Sequence, residues 1–348
     1  MATQAEDFVE SGMLAFDEGD WKGAALAFDK ALKLDENNAQ ALAGLALVLA
    51  EKEQTDKAFE FIDKAMAKNP NLAAIHTAKG RVLIMSGRPD ALAQAIDVFN
   101  KALSLNPGDE AAYYYKAVAL LEQEKYDAAA RHLNELLKLH GFYMQRAAEK
   151  LQFVQKLKLA APRTESGKKI MSVDAITRAD LATLLVEELN FPDWVNKRNP
   201  HLYGLAGPDS GKGAPLKSRA DLINDISGHW AASFIKSVVR LHGMDIFPDH
   251  SFRPAEKVKR MDFALAIQQV LILVTGNRSL DTAFIGLPSP FPDVKKSHYA
   301  FNAILLATER SILQPNPQTG EFGLNDHISG LDALIALRKL EKILAEPS

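Results

Sequence analysis

A small residue, a large apolar residue and a turn recur along the first 143 residues, and a chain with that rhythm has to stack helical hairpins. Gly12, Ala46, Gly80 and Ala117 are spaced 34, 34 and 37 residues apart. Ala31, Ala65 and Ala102 keep the same spacing, and Leu136 continues the series. A large apolar residue, Phe28, Ile62, Phe99 or Leu133, stands one turn before each of these. Two antiparallel helices approach closely only where one side chain is small, and the large residue then fills the remaining gap. Breaks fall at Gly19-Asp20, Asn69-Pro70-Asn71, Gly87-Arg88-Pro89 and Asn106-Pro107-Gly108. The extra residues of the third unit lie beside Pro89, in a turn, where added length costs little.

Gly19-Asp20-Trp21, followed by Ala24, Phe28 and Ala31, resembles the tetratricopeptide (TPR) repeat position by position. Four units follow, about 5–38, 39–72, 73–109 and 110–143, and residues 144–159 read as an amphipathic capping helix. The expected first domain is therefore 1–160, an all-α solenoid. The resemblance implies a concave groove lined by Val9, Met13, Phe16, Ala43, Leu47, Thr77, Arg81, Ile84, Tyr114, Val118 and Leu121. That set is apolar with one arginine. It lacks the lysine and asparagine set with which some family members hold a terminal carboxylate. An exposed apolar groove implies an amphipathic helix or extended peptide as partner, or else the chain's own C-terminal part.

After Ala161-Pro162 the stretch 161–169 is polar and reads as a linker. Beyond it three segments begin alike: Ile176-Thr177-Arg178-Ala179-Asp180, Val258-Lys259-Arg260-Met261-Asp262 and Ile328-Ser329-Gly330-Leu331-Asp332. Each is a helix start, with an acid placed to meet the positive end of the first turn. Asp225 with His229-Trp230 and Asp293 with His298-Tyr299 precede two of them, with Phe252 and Phe322 in the following loops.

This order of landmarks looks like the S-layer homology (SLH) module. Domain 170–348 is thus expected to be a helical, pseudo-threefold bundle with long loops, with modules near 170–189, 223–272 and 291–344 and an irregular insertion over 190–222. The first module lacks its front half. The resemblance implies attachment to an anionic cell-wall polysaccharide or peptidoglycan-linked polymer in positively charged clefts between modules. Arg178 and Arg260 would hold a carboxylate through a guanidinium fork, with Asp180 and Asp262 at the module's acidic position. Trp230 and Tyr299 would stack on sugar rings, or else belong to the core. Gly330 stands where the third module should have arginine, and Lys259-Arg260-Met261 departs from the Thr-Arg-Ala pattern. Lys197, Arg198, Lys212, Lys217 and Arg219 in the insertion could meet an anionic polymer, or remain solvated.

Composition excludes several classes. Net charge is −3 overall, −4 over residues 1–160 and +1 over the rest, without the basic excess of a nucleic-acid binder. Cysteine is absent, which removes disulfides, thiolate metal sites and thiol nucleophiles. No apolar run of about 18 residues marks a transmembrane helix. Neither a His-Glu-x-x-His helix nor a Gly-x-Ser-x-Gly elbow occurs, and the histidines at 229 and 298, in equivalent places, suit a structural hydrogen bond. The expectation is a non-enzymatic scaffold without cofactor or metal. It would be exported to the cell envelope or periplasm with a leader outside this sequence, the alternative being a pure protein–protein adaptor, cytoplasmic location included.

Overall fold

The computed structural model describes residues 2–199 and 218–346. These form two compact units, Met1–Gln155 and Lys156–Ser348. The fold is all-α: among the described residues, extended backbone occurs only as isolated bridges.

The first unit is a succession of hairpins: α1 (Ala2–Asp17) with α2 (Trp21–Leu34), α3 (Ala39–Glu51) with α4 (Thr55–Lys68), α5 (Ala73–Ser86) with α6 (Ala91–Leu105), and α7 (Glu110–Glu122) with α8 (Tyr126–Leu137). Helix α9 (Met144–Ala160) follows, and the division between the units falls inside it. Helix starts are set locally. Asp20, Asn38 and Asp109 accept the N–H groups of Gly23, Ala41 and Ala112, meeting donors that a first turn leaves free.

The small residues do what their spacing predicts. The Phe28 ring is wedged between Gly12 and Gly44; a β-carbon on either glycine would stand 2.6 or 2.4 Å from it. Gly80 meets Phe99 in the same way, at 2.5 Å. Ala24, Phe28 and Ala31, then Ala58, Ile62 and Ala65, then Ala95, Phe99 and Ala102 are buried faces of successive outer helices.

In the second unit α10 (Glu165–Met171) precedes α11 (Arg178–Thr183), which continues as a π-turn over Leu184–Glu188. Then come α12 (Phe191–Arg198), α13 (Ala232–Arg240), α14 (Arg260–Thr275), α15 (Phe301–Glu309) and α16 (Gly330–Ala345). The three segments that begin alike meet at one place. Ile176 N–H donates to the Ile328 carbonyl at 3.0 Å, Ile328 to Val258 at 3.2 Å, and Val258 to Ile176 at 2.8 Å. This closed ring of three buried residues is the pseudo-threefold axis. The next contacts also repeat: the N–H groups of Arg178, Arg260 and Gly330 donate to Glu256, Asp326 and Val173, each at 2.8 Å.

The module acids pin the loops. Asp225 accepts from Phe252 and Arg253 at 2.8 and 2.7 Å, and Asp293 from Phe322, Gly323 and Leu324. Those bonds lower the Asp293 pKa, although burial alone would raise it. Phe252 and Phe322 are thereby held in the core.

Two expectations are corrected. Residues 161–169 are not a free linker, because Thr164 caps α10 and Gly167 and Ile170 are buried. Glu188, only 1% exposed, accepts from the Arg163 and Thr164 N–H groups and the Thr164 hydroxyl, and pairs with Arg338. Arg338 also donates to the carbonyls of Ala160 and Ala161. The segment that stands before the first module is therefore bolted to its second helix and to α16. Nor is 190–222 irregular at its ends: Phe191 and Val195 are buried in α12, and Arg219–Leu222 forms a 3-10 turn. Asn199 donates to the Leu273 and Val274 carbonyls, covering the end of α14. Of the insertion's bases, Arg198 donates to the Leu344 carbonyl and Arg219 pairs with Asp245. The glycine- and proline-rich middle, with Lys212 and Lys217, lies outside the described residues.

Candidate functional site

Arg178 and Arg260 take up the same position and do the same thing. Arg178 Nε donates to the Phe252 carbonyl and Nη2 to that of Asp245, both at 2.7 Å. Its guanidinium lies over the Phe247 and Phe252 rings, 5.0 and 4.6 Å from their centroids. Arg260 Nε donates to the Phe322 carbonyl at 2.9 Å, Nη2 to that of Gln314 at 2.8 Å, and the group lies over Phe322. Each arginine thus ties the helix start of one module to the loop of the next. Two nitrogens of each group donate to backbone carbonyls, and a carboxylate fork would use the N–H groups that remain. Nη1 has no acceptor among the described residues, so its two N–H groups and the second N–H of Nη2 are the donors left for a ligand. Burial lowers both pKa values, opposed by Glu256 and Asp262 at Arg178 and by Asp332 at Arg260.

The three module acids differ. Asp180 is engaged in its own helix start, accepting from the Thr177 N–H and hydroxyl at 2.8 and 2.7 Å. Asp332 accepts from the Ser329 hydroxyl, and Lys156 Nζ stands 3.8 Å from its other oxygen. Asp262 has Lys259 at the capping position and no side-chain cap. It lines one cavity with Arg178, and burial together with its charge raises the Tyr299 pKa.

Both aromatic residues are exposed, Trp230 by 58% and Tyr299 by 68%, so neither is a core residue. Each stands beside its histidine ring, and the histidine Nδ1 accepts the N–H of Ala231 or Ala300. The Tyr299 hydroxyl reaches Met261 Sδ at 3.5 Å.

Arg178, Asp262 and the backbone around Met261 line a cavity of ≈ 580 Å³ between the first and second modules. Its charged walls are Arg178, Lys257 and Lys259 against Asp245, Glu256, Asp262 and Asp281, so it is not the positively charged cleft expected. Asp332, whose charge acts on Arg260, already has Lys156 at 3.8 Å. At Gly330 a β-carbon would lie 1.7 Å from the Ile170 carbonyl oxygen, so α10 fills the third position.

The groove of the first unit is also not the open surface expected. Val9, Phe16, Ala43, Leu47, Thr77 and Arg81 are buried, and Met13, Ile84, Tyr114, Val118 and Leu121 are half-buried. Thr77 donates to Asp109 at 2.7 Å. Arg81 pairs with Asp17 at 2.7 Å and lies over the Phe16 and Tyr115 rings, at 4.8 and 4.1 Å. Burial opposes its charge, yet Tyr115, Tyr143 and Asp17 outweigh that and raise its pKa. Burial likewise raises the Tyr143 pKa. Asp17, Tyr143 and Arg146 were not among the residues singled out from the sequence. The available signal was an arginine at an inward position, which requires a counter-charge.

The tetratricopeptide-repeat family model matches residues 15–82 and 90–151, and the S-layer homology model matches 222–264 and 290–334. The chain carries tetratricopeptide repeats followed by an S-layer homology domain. Both are families of binding domains and neither is catalytic. Over the TPR repeats and beyond, single relatives are partial. Photosystem I assembly protein Ycf3 of Synechococcus sp. (strain CC9605) is 29% identical over 119 residues, 30% of this chain and 69% of that protein. Cell surface glycoprotein 1 of Acetivibrio thermocellus is 34% identical over 83 residues, 24% of this chain but only 3% of that protein. Among solved structures, the TPR protein TTC0263 of Thermus thermophilus is 17% identical, covering 46% of this chain and 92% of its own, with a TM-score of 0.36. A Thermobaculum terrenum O-GlcNAc transferase mutant is 24% identical over 39% of this chain and 26% of its own, with a TM-score of 0.32. Among the described residues no group of three or more metal-ligating side chains occurs, and no helix is long and apolar enough to cross a membrane.

Proposed function

We propose that this protein is a non-enzymatic scaffold of the bacterial cell envelope, exported, whose TPR repeats hold a protein partner while its SLH domain docks on a cell-wall polysaccharide or peptidoglycan-linked polymer. The observation that carries the docking half is one groove lined by Arg178, Met261 and Asp262, with the hydroxyl of the exposed Tyr299 standing 3.5 Å from Met261 Sδ. Asp262 supplies an acceptor for sugar hydroxyls, Tyr299 a ring to stack on a sugar face, and Arg178 the N–H groups that its two carbonyl contacts leave over. The mixed charge of the walls gives no preference for an anionic polymer. The envelope location is supported by the SLH match and by the likeness to a protein named as a cell surface glycoprotein.

Retention on purified cell wall tests this. Asp262→Asn and Tyr299→Ala are the variants to use, since Arg178 is needed by the fold. Loss of a charge-assisted contact worth about 1.5–3 kcal/mol corresponds to at least a tenfold drop in retention. Equal retention of wild type and both variants removes the docking proposal. The competing reading, a pure adaptor whose SLH domain binds proteins, is favoured by one feature: the third groove is filled by the chain itself at Gly330.

A further inference from the structure

The interior of the repeat superhelix is closed by one carboxylate. Asp17, the last residue of α1, is reached by residues 64, 126 and 129 positions further along the chain. Arg81 Nη2 donates to its Oδ1 at 2.7 Å, the Tyr143 hydroxyl to its Oδ2 at 2.6 Å, and Arg146 Nη2 to its backbone carbonyl at 2.6 Å. A guanidinium and a phenol converging on a carboxylate make a receptor for an acidic group. Here the chain fills that receptor itself.

Two further observations point to a second occupant. Arg81 is 1% exposed, yet its Nε and Nη1 are buried without an acceptor, so its donors exceed what Asp17 can use. Beside it lies a cavity of ≈ 340 Å³ walled by Phe16, Ile84, Met85, Tyr115 and Val118 as well as by Arg81 and Asp17. Buried donors without partners next to empty apolar space describe a site that a polar group with apolar neighbours would complete. Helix α1 packs chiefly on α2, through residues such as Gly12 against Phe28. Asp17 is its last residue, next to the Gly19 turn, where a local shift leaves the packed body of the helix in place.

We propose that Asp17 is an autoinhibitory contact: it occupies the receptor for an acidic side chain of a peptide partner, and binding displaces the end of α1. The inference rests on the reading that the repeats hold a protein partner, and it names the chemistry of that partner. Glu51, also in the cavity wall, disfavours more than one acid, so the fitting ligand is a single acidic residue among apolar ones. In the closed state the apparent affinity is reduced by the fraction of molecules that are open.

The test uses the full chain and a labelled synthetic peptide of leucine and alanine with one central glutamate, against the same peptide with glutamine. Fluorescence anisotropy should show Asp17→Ala binding the glutamate peptide about tenfold or more tightly than wild type, with the glutamine peptide unchanged. Arg146→Ala removes only the bond to the Asp17 backbone carbonyl and keeps the Arg81 and Tyr143 donors, so it serves if Asp17→Ala does not fold; a gain of about threefold is expected. Equal affinity of wild type and the folded variants overturns the proposal, as does failure of every protein to bind either peptide. If wild type binds both peptides equally well, the clasp is gone but the partner-holding role stands, so the two failures are told apart.

Discussion

The carbonyl oxygen of Ile170 lies 1.7 Å from the point where a β-carbon on Gly330 would be placed. Glycine at 330 is therefore required by a close backbone approach, and it is not simply an arginine lost from the third module. Gly330→Ala should destabilise the second unit by roughly 1–3 kcal/mol, as overpacking does, and Gly330→Arg by more. Urea unfolding checks this. Tolerance of arginine at 330 would mean that α10 yields the third groove, contrary to the packing seen.

Arg178 and Arg260 are expected to behave as clamps before anything else. Arg178→Ala and Arg260→Ala each remove two hydrogen bonds from a charged donor, worth about 1.5–3 kcal/mol apiece, and leave carbonyls of the neighbouring loop unmet. Lysine should not rescue either, because it cannot reach two carbonyls in a fixed plane while covering a phenylalanine ring. Thermal melts of the alanine and lysine variants should fall together below wild type. An unchanged melting temperature would make the arginines surface groups free for a ligand.

These two cases also mark where reading the sequence succeeds and where it stops. The repeat period placed the hairpins because each small residue faces a specific large one, as Gly80 faces Phe99. The like starts at Ile176, Val258 and Ile328 identified the three segments that close around the axis, because the same local geometry needs the same residues. Contacts between distant segments left no such trace. Nothing in the spelling of residues 161–169 announces that Glu188 and Arg338 will fasten them. Asp17 and Tyr143 are 126 residues apart and share no motif. The burial of the groove residues on the inner helices depends on how tightly the superhelix winds, which periodicity does not encode.

The Glu188–Arg338 pair should make the second unit acid-sensitive. Burial alone would raise the Glu188 pKa, but hydrogen bonds from Thr164, Arg163 and Arg338 outweigh it and the pKa is lowered. A carboxylate with a depressed folded pKa contributes its full stability above its unfolded value, about 4.3, and loses it as pH falls through the folded value. Urea midpoints measured from about pH 7 down to pH 2 should therefore drop on the acid side. Glu188→Gln should remove part of that drop and cost about 3–5 kcal/mol at neutral pH, because Arg338 is left buried without its partner. A variant with wild-type stability at neutral pH would show the pair to be idle.

Phe28 offers the sharpest test of the repeat packing, since two glycines from different hairpins meet the same ring. Adding one methyl at Gly44 puts a carbon 2.4 Å from the ring edge, and at Gly12 2.6 Å. The ring is buried and cannot swing out. Gly44→Ala is expected to cost about 1–3 kcal/mol through overpacking, against the gain of up to about 1 kcal/mol that alanine normally brings to a helix interior. Phe28→Leu alone should also destabilise, by leaving space behind. The double variant should recover part of the loss, because leucine withdraws the edge that the new methyl strikes. A double-mutant cycle on urea-unfolding free energies reads this coupling directly. Strict additivity of the two changes would mean that the ring and residue 44 do not touch, and the wedge that sets the spacing of the first two hairpins would have to lie elsewhere.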